Sequence, residues 1–240
     1  MTVLFTITLF IALGFLPGIF WLYYFYRKDV IEPEPKSLIA KTYLVGILVA
    51  VPVVIAEIRL SPGSNSLASA VIVAPVVEEF FKMLATYWFV FNNKEFDEPM
   101  DGIVYGASIA LGFASIENAG YLYSAYQMGQ LQEVFIMRAL LSVPGHALFS
   151  TIWGFGLGMI KFKKISIPVF CIMLLLAMAG HGIFNFVAGT GDGYLVLLMV
   201  VIGLLWGVFH RNARRAISVS PHRKFSKYVK SSQFEGESIL

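Results

Sequence analysis

The chain has 240 residues, of which 58% are hydrophobic and only 14% are charged, and its mean hydropathy is +0.74. This composition excludes an ordinary soluble domain and indicates an integral membrane protein. The single cysteine, Cys171, excludes an internal disulfide framework and a thiolate metal cluster. The net charge of +3 is small, but the basic residues are concentrated in a few short stretches.

The apolar segments predict an all-α, polytopic transmembrane helix bundle of about seven spans. The first segment, 3–26, lacks a basic n-region and a cleavage site, so it predicts a retained spanning helix rather than a signal peptide. A charged connector with Pro33 and Pro35 follows as a loop at a membrane face. The sequence shows no alternation of apolar and polar residues of the kind that the strands of a β-barrel have. The further apolar segments lie at about 38–58, 67–91, 102–126, 136–160, 165–187 and 193–209.

The distribution of lysine and arginine predicts the orientation of these spans. With the loop at 27–41 placed inside, all but three of the 18 basic residues lie inside. The exceptions are Arg59 and Arg138, which lie outside, and Lys82, which lies within a span. We therefore expect an outer N-terminus, one transmembrane bundle over 1–210, and a basic cytoplasmic tail over 211–240. We expect the tail to contact anionic lipid and not nucleic acid.

The segment 67–91 contains three charged side chains where lipid tolerates few. Glu78, Glu79 and Lys82 lie in its apolar sequence, and each charge at the centre of a membrane helix costs about 3 kcal/mol if it is unpaired. Pro75 lacks an N–H group, so it predicts a bend that frees the carbonyl of Val71 toward a wet cavity. Other spans must supply partners for this segment.

Three later segments carry polar side chains at helical spacing. Two residues four positions apart share one face of a helix. Measured from the outer ends of their helices, Glu78, Glu117, His146 and His181 differ in depth by about 8 Å at most. That depth falls in the outer half of the membrane. The pairs are Glu78 with Lys82, Glu117 with Tyr121, His146 with Ser150, and His181 with Asn185.

Two kinds of chemistry suit these groups. A buried glutamate can act as general base toward water, while imidazole or amide groups stabilise an oxyanion. Alternatively, His146, His181 and Glu117 can hold zinc while another glutamate serves as base. No serine has a nucleophile-elbow context and no His-Glu-x-x-His motif is present.

A proton- or cation-coupled transporter would also use buried Glu, His and Lys, although we find no inverted repeat. A non-catalytic scaffold that retains the fold would need none of these groups.

The motifs, in this order, resemble the PrsW family of intramembrane proteases. They are Glu-Glu-Phe-Phe-Lys at 78–82, Ser-Ile-Glu-Asn-Ala-Gly-Tyr at 115–121, Gly-His-Ala-Leu-Phe at 145–149 and His-x-x-x-Asn at 181–185, preceded by Tyr-Arg-Lys-Asp at 26–29 and Glu-Pro-Glu-Pro at 32–35. The family is related to the CAAX prenyl proteases and Abi proteins, which are grouped as glutamate-dependent intramembrane proteases. The resemblance implies a prokaryotic plasma membrane and, for some members, cleavage of a membrane-anchored anti-sigma factor on its extracytoplasmic side.

The resemblance also implies the site residues. Glu78, Glu79, Glu117, His146, His181 and Asn185 fall in the family motifs, with Lys82, Asn118 and Tyr121 beside them. We predict that Glu78 or Glu79 activates water and that His146, with Asn185 or His181, polarises the carbonyl or binds a metal. Lys82 neutralises the glutamate pair, and Glu78 is favoured as base because it shares a helix face with Lys82. The expected substrate is a single-pass membrane protein, with zinc or no metal as cofactor.

Overall fold

A computed structural model describes residues 3–61, 66–190 and 194–225. The predicted all-α class is confirmed, since the described residues contain helices and turns and no strand. The helices are α1 (Val3–Tyr26), α2 (Lys36–Leu60), α3 (Ala74–Val90), α4 (Pro99–Gln127), α5 (Leu131–Met137), α6 (Val143–Lys161), α7 (Ile167–Ala188) and α8 (Tyr194–Ser218), with π-helical segments at Ser69–Val73 and Arg138–Ser142 and a 3-10 turn at Pro221–Phe225.

Each predicted apolar segment contains a helix, but the helices differ in their suitability for spanning lipid. In the described part of the chain, six helices are long and apolar enough to cross a membrane. They are α1, α2, α4, α7, α8 and the continuous helix over Leu131–Lys161. The segment 67–91 forms a π-helical segment followed by α3 and contains the three charged residues. The count of seven spans and the orientation remain predictions.

Helix α4 forms the centre of the bundle. Almost every residue from Pro99 to Ser115 is buried, whereas α1, α2, α7 and α8 each expose one apolar face with large side chains such as Leu16, Leu48, Leu176 and Leu204. A helix that is buried all round requires protein neighbours on every side, and α4 packs against α1, α2 and α6. The exposed apolar faces of the outer helices are the surfaces that lipid would cover.

Glycines allow α4 and α6 to approach closely. A methyl group on Gly102 would overlap the carbonyl oxygen of Gly154, and a methyl group on Gly154 would overlap the carbonyl oxygen of Gly102. Only a residue without Cβ permits this backbone contact. The close contact aligns α6 along α4 and thereby fixes the position of His146 relative to Glu117.

The region predicted as a separate tail begins within a helix. Helix α8 continues past residue 210 to Ser218, and Asn212, Ala213 and Ala216 are buried against the bundle. Ser220 then donates a hydrogen bond to Glu98. The first part of the predicted tail therefore packs on the bundle, and residues 226–240 lie outside the described part of the chain.

Candidate active site

A π-helical segment positions the two glutamates of α3. Pro75 has no N–H group, so the helix cannot make its regular hydrogen bond there. The chain instead widens into the π segment Ser69–Val73, in which the Ala74 N–H donates to the Ser69 carbonyl. The Val71 carbonyl packs against Gly182 of α7, and the wet cavity expected beside it remains a prediction. π-Helical segments of this kind often lie beside functional sites.

The same local structure precedes the histidine of α6. Pro144 follows the π segment Arg138–Ser142, in which the Val143 N–H donates to the Arg138 carbonyl. His146 lies two residues after this proline, in the first turn of α6. Two of the four helices that carry motif residues, α3 and α6, thus follow a widened turn, and each has a proline at its second position, Pro75 or Pro144.

Lys82 connects the buried ionisable groups. Its Nζ lies 2.8 Å from Glu79 Oε1, 3.1 Å from Glu78 Oε2 and 3.2 Å from His146 Nδ1, and its side chain has no solvent exposure. An ammonium group has three donors and no acceptor, so these three contacts use its full hydrogen-bonding capacity. The face of Phe113 lies 4.5 Å from Nζ and adds a cation–π contact.

Glu79 is held on both carboxylate oxygens. Oε1 accepts bonds from Lys82 and, at 3.1 Å, from His181 Nδ1. Oε2 accepts bonds from Ser150 Oγ at 2.9 Å and Trp153 Nε1 at 2.8 Å. The side chain is completely buried. A carboxylate with four donors is fixed in position.

Glu78 is held much less tightly than its neighbour. Its Oε2 accepts the Lys82 bond and lies 3.5 Å from His146 Nδ1, while no donor among the described residues binds Oε1. The residue is buried but retains 4% exposure, in contrast to 0% for Glu79. One oxygen of Glu78 is therefore available to a small molecule such as water.

The contacts of His146 define its tautomer. Nδ1 faces the Lys82 ammonium, which can only donate, so Nδ1 is the acceptor. Nε2 then carries the hydrogen and donates to Glu117 Oε2 at 3.0 Å. The same Glu117 oxygen accepts a bond from Arg138 Nη2 at 2.6 Å. Arg138, Glu117, His146 and Lys82 thus form a continuous polar chain across three segments.

One ring nitrogen of His181 has no hydrogen-bond partner among the described residues. Its Nδ1 donates to Glu79, which leaves Nε2 with a lone pair in the neutral ring. The ring stacks on Phe149 with a centroid separation of 4.9 Å and an interplanar angle of 8°. It also meets the His146 ring edge-on at 5.0 Å. The stacking fixes the direction in which Nε2 points.

The other predicted residues lie around this cluster. The Asn118 Oδ1 accepts a bond from Arg138 Nε at 2.8 Å, and the Arg138 guanidinium lies 3.8 Å from the centre of the Tyr121 ring. Asn185 is separate from the carboxylates, since its Nδ2 donates to the Ala70 carbonyl at 2.9 Å. That bond connects α7 to the π segment before α3. The catalytic or supporting roles of these residues remain predictions.

Among the described residues, three side chains form a hydrogen bond or ion pair with the motif glutamates without having been predicted as site residues. Arg138 pairs with Glu117, and Ser150 and Trp153 bind Glu79. Arg138 could have been found as one of only two basic residues predicted outside. Ser150 lies four residues after His146, so the helical spacing indicated its face. The indole of Trp153 gave no sequence signal, because an apolar helix contains such residues for packing alone.

Four buried donors form a candidate metal centre. Single oxygen or nitrogen atoms of Glu78, Glu79, His146 and His181 all lie within 4.8 Å of one another. Two imidazoles with carboxylates form a donor set that suits zinc, so these residues fit a metal ion. The grouping includes Glu78 and Glu79, whereas the predicted set of His146, His181 and Glu117 remains a prediction. A metal would compete with the Lys82 ammonium for the same carboxylate oxygens and for the lone pair of His146 Nδ1.

Comparison with known proteins identifies the family. The family described as "PrsW family intramembrane metalloprotease" matches residues 34–208. The chain belongs to the PrsW family. The resemblance predicted from the motifs is confirmed, and the chain is an intramembrane protease and a multi-pass membrane protein of the prokaryotic type. This assignment favours the enzyme over the transporter and scaffold alternatives.

Curated relatives named "Protease PrsW" cover most of the chain. The Geobacillus kaustophilus protein is 43% identical over 155 residues, which cover 63% of this chain and 67% of the relative. The Bacillus subtilis protein is 32% identical over 215 residues, which cover 88% of this chain and 96% of the relative. The Clostridioides difficile protein is 34% identical over 152 residues, covering 61% of this chain and 62% of the relative. No solved structure matches the chain significantly.

Proposed function

We propose that this PrsW-family protease hydrolyses a peptide bond of a single-pass membrane protein with a water molecule activated by Glu78. The observation that carries the proposal is the difference between the two glutamates. Glu79 has both oxygens committed to four donors, whereas Glu78 has one oxygen without a donor among the described residues and a small exposure. A general base needs a free oxygen within reach of water.

The proposed reaction assigns one role to each group. Glu78 takes a proton from water as the water oxygen bonds to the scissile carbonyl carbon. The same proton then passes from Glu78 to the leaving nitrogen as the carbon–nitrogen bond breaks. Lys82 and Arg138 are the nearest cations, and their charge favours the oxyanion that forms in between. Glu79 fixes Lys82 and His181, and so acts as a positioning residue.

A metal would add to this chemistry without replacing the base. Zinc, held by His146, His181 and one or both glutamates of α3, would supply Lewis-acid polarisation of the water or the carbonyl. The donor set and the family description support a metal. The free lone pair of His181 Nε2 suits a ligand better than an oxyanion donor, because a neutral nitrogen without hydrogen cannot donate.

The depth of the site supports an extracytoplasmic cleavage position. With the orientation predicted from the basic residues, Glu78, Glu117, His146 and His181 lie in the outer half of the membrane. A membrane-anchored protein of the anti-sigma-factor type would present its peptide bond there. The basic side chains of Arg211, Arg214 and Arg215 are exposed at the end of α8, which favours contact with anionic lipid headgroups and not with nucleic acid.

Cleavage of a single-pass protein tests the proposal. Membranes that contain Glu78→Gln or Glu79→Gln would be challenged with a membrane-anchored anti-sigma factor of the host, tagged at both ends. We expect Glu78→Gln to abolish cleavage and the exposed-site control Glu133→Gln to leave it intact. Unchanged cleavage by Glu78→Gln would refute the assignment of the base. Metal content and activity of one purified sample, measured before and after chelation, would decide whether a metal takes part.

A further inference from the structure

A second cluster of carboxylates lies far from the candidate active site. Asp29 follows α1, and Glu98 and Asp101 lie at the start of α4. One oxygen of each lies within 4.8 Å of the others, and their exposures are 3%, 0% and 0%. Asp101 and Glu117 are 16 positions apart on α4, which places this cluster about 24 Å along the helix from the site.

Four buried oxygens of this cluster lack a donor among the described residues. They are Asp29 Oδ1, Asp29 Oδ2, Glu98 Oε1 and Asp101 Oδ1. The other oxygens have clear partners. Asp101 Oδ2 accepts the N–H groups of Asp97 and Glu98 at 2.7 Å each, and Glu98 Oε2 accepts a bond from Ser220. Neither oxygen of Asp29 thus has a donor in good hydrogen-bond geometry among the described residues, although the residue is almost fully buried beside Glu98 and the Glu32 backbone.

No basic side chain of the described residues forms an ion pair with these carboxylates. The Lys161 ammonium is nearby, but it donates to the carbonyls of Phe91 and Asn93 and packs on the Phe96 ring. Glu34 adds a fourth buried carboxylate, whose Oε2 accepts a bond from Tyr105. The cluster therefore brings buried carboxylates together without an ion-paired cation among the described residues.

Two neighbouring acidic residues at the surface, unlike the buried cluster, have a basic partner within the chain. Glu32 and Asp97 lie at the surface, and each binds one ring nitrogen of His222 at 3.1 Å. There the carboxylates have their partner within the chain. In the buried cluster the carboxylates have no such partner among the described residues, and a buried carboxylate without a counter-charge is unfavourable.

We propose that Asp29, Glu98 and Asp101 bind a hard divalent cation, Ca²⁺ or Mg²⁺, at a site separate from the catalytic centre. All the donors are carboxylate oxygens, the ligands that these ions prefer, and no nitrogen or sulfur donor favours zinc. Ligands of Ca²⁺ lie about 2.3 to 2.6 Å from the ion, so two of them can be up to about 5 Å apart, which accommodates the 4.8 Å limit of this cluster.

The four unpartnered oxygens would supply part of the coordination shell. Ca²⁺ takes six to eight oxygen ligands, and the remainder would come from water or from Glu34. Access is available beside Asp29, which lines a cavity of about 720 Å³ together with Tyr26, Arg27, Pro33 and Lys36. A cation held here would join the α1–α2 connector to the start of α4, and the Glu98–Ser220 bond would extend that link to the end of α8.

Cation-dependent stability of the purified, chelator-treated full chain tests the proposal. We expect CaCl₂ or MgCl₂ to raise its Tm by roughly 5 to 10 °C at about a hundred times Kd, and calorimetric titration with the same salt to give one saturable site. Asp29→Asn keeps the shape of the side chain, so it should fold, weaken Kd at least about tenfold and lose about half of the Tm shift or more.

Two controls separate this site from others. Glu32→Gln changes an exposed carboxylate of the neighbouring group, and a His146→Ala, His181→Ala double variant disables the catalytic cluster; both should keep the Tm shift. If Asp29→Asn does not fold, Glu98→Gln, which keeps an acceptor for Ser220, provides the same comparison. Absence of saturable binding to the wild-type chain would overturn the proposal. A Kd for the cation equal to that of the wild type in Asp29→Asn or Glu98→Gln would overturn it as well. So would a rise in Tm with added salt that is lost only in the double histidine variant.

Discussion

Replacement of Lys82 tests whether its ammonium group holds the catalytic cluster together. The Lys82→Met variant keeps the length of the side chain but removes the charge that contacts Glu78, Glu79 and His146 within 3.2 Å. Because Lys82 and Glu79 are completely buried, solvent cannot replace the lost contacts. The adjacent carboxylates would then repel each other in a medium that disfavours both.

The magnitude follows from this burial. Removing one partner of a buried ion pair costs about 3 to 5 kcal/mol, because an uncompensated charge remains. That loss is a large fraction of the typical stability of a domain, about 5 to 15 kcal/mol. The exposed pair of Lys94 and Glu95, with side-chain exposures of 89% and 34%, supplies the matched control, since exposed pairs contribute about 0 to 1 kcal/mol. We expect Lys94→Met to change stability by less than about 0.5 kcal/mol.

The assay is reversible unfolding of chelator-treated protein in mixed micelles, with the free energy of unfolding measured for each variant. The double variant Glu79→Gln, Lys82→Met removes a carboxylate together with the ammonium, so it should recover part of the loss. A Lys82→Met variant as stable as wild type, or a double variant less stable than Lys82→Met, would refute the reasoning.

Three further predictions concern the surroundings of the cluster. Ser150→Ala removes one donor from Glu79 Oε2 and should lower the free energy of unfolding by about 1.5 to 3 kcal/mol, whereas Ser124→Ala, whose exposed hydroxyl bonds only its own helix, should change it by less than about 0.5 kcal/mol. In Arg138→Lys, the lysine cannot bind both Glu117 and Asn118 and also stack on Tyr121. In a cleavage assay this variant should lower kcat by up to about 100-fold with little change in KM. A wild-type kcat would show that the guanidinium does not position Glu117. Gly102→Ala places a methyl group against the Gly154 carbonyl and should destabilise the protein by about 1 to 3 kcal/mol, while Gly120→Ala, where a methyl group meets nothing within 4 Å, should stabilise it by up to about 1 kcal/mol; equal unfolding free energies of these two variants would contradict the close α4–α6 contact.

The preference for Glu78 over Glu79 illustrates what spacing alone can and cannot decide. The sequence reasoning favoured Glu78 because it shares a helix face with Lys82, but the ammonium binds both glutamates. The difference between them comes from Ser150, Trp153 and His181, which lie more than 70 positions away in sequence and bind Glu79 but not Glu78. Such long-range partners leave no local pattern, so the difference between the two glutamates becomes visible only in the structure, and the choice of Glu78 as base stays a prediction.

Asn185 and Arg138 also show that a sequence motif does not decide which side chains bind the carboxylates. The family motif marks Asn185 as a site residue, yet its side chain binds the Ala70 carbonyl and not the carboxylates. Arg138 lies in none of the quoted motifs, yet it binds Glu117 directly. A motif records position along the chain, while hydrogen bonding depends on the direction in which each helix turns its face toward its neighbours.

By itself, the sequence determined the helical membrane class, the family, and the helices that contribute ionisable groups. Apolar length and helical period are local properties, and a charged triplet in an apolar segment is energetically conspicuous. Only the tertiary structure decided which oxygens are committed and which are free, both at Glu78 and Glu79 and in the Asp29, Glu98 and Asp101 cluster. Those properties depend on packing between distant segments. When packing moves a donor out of hydrogen-bond range, the carboxylate oxygen that it would have bound is left free to bind water or an ion.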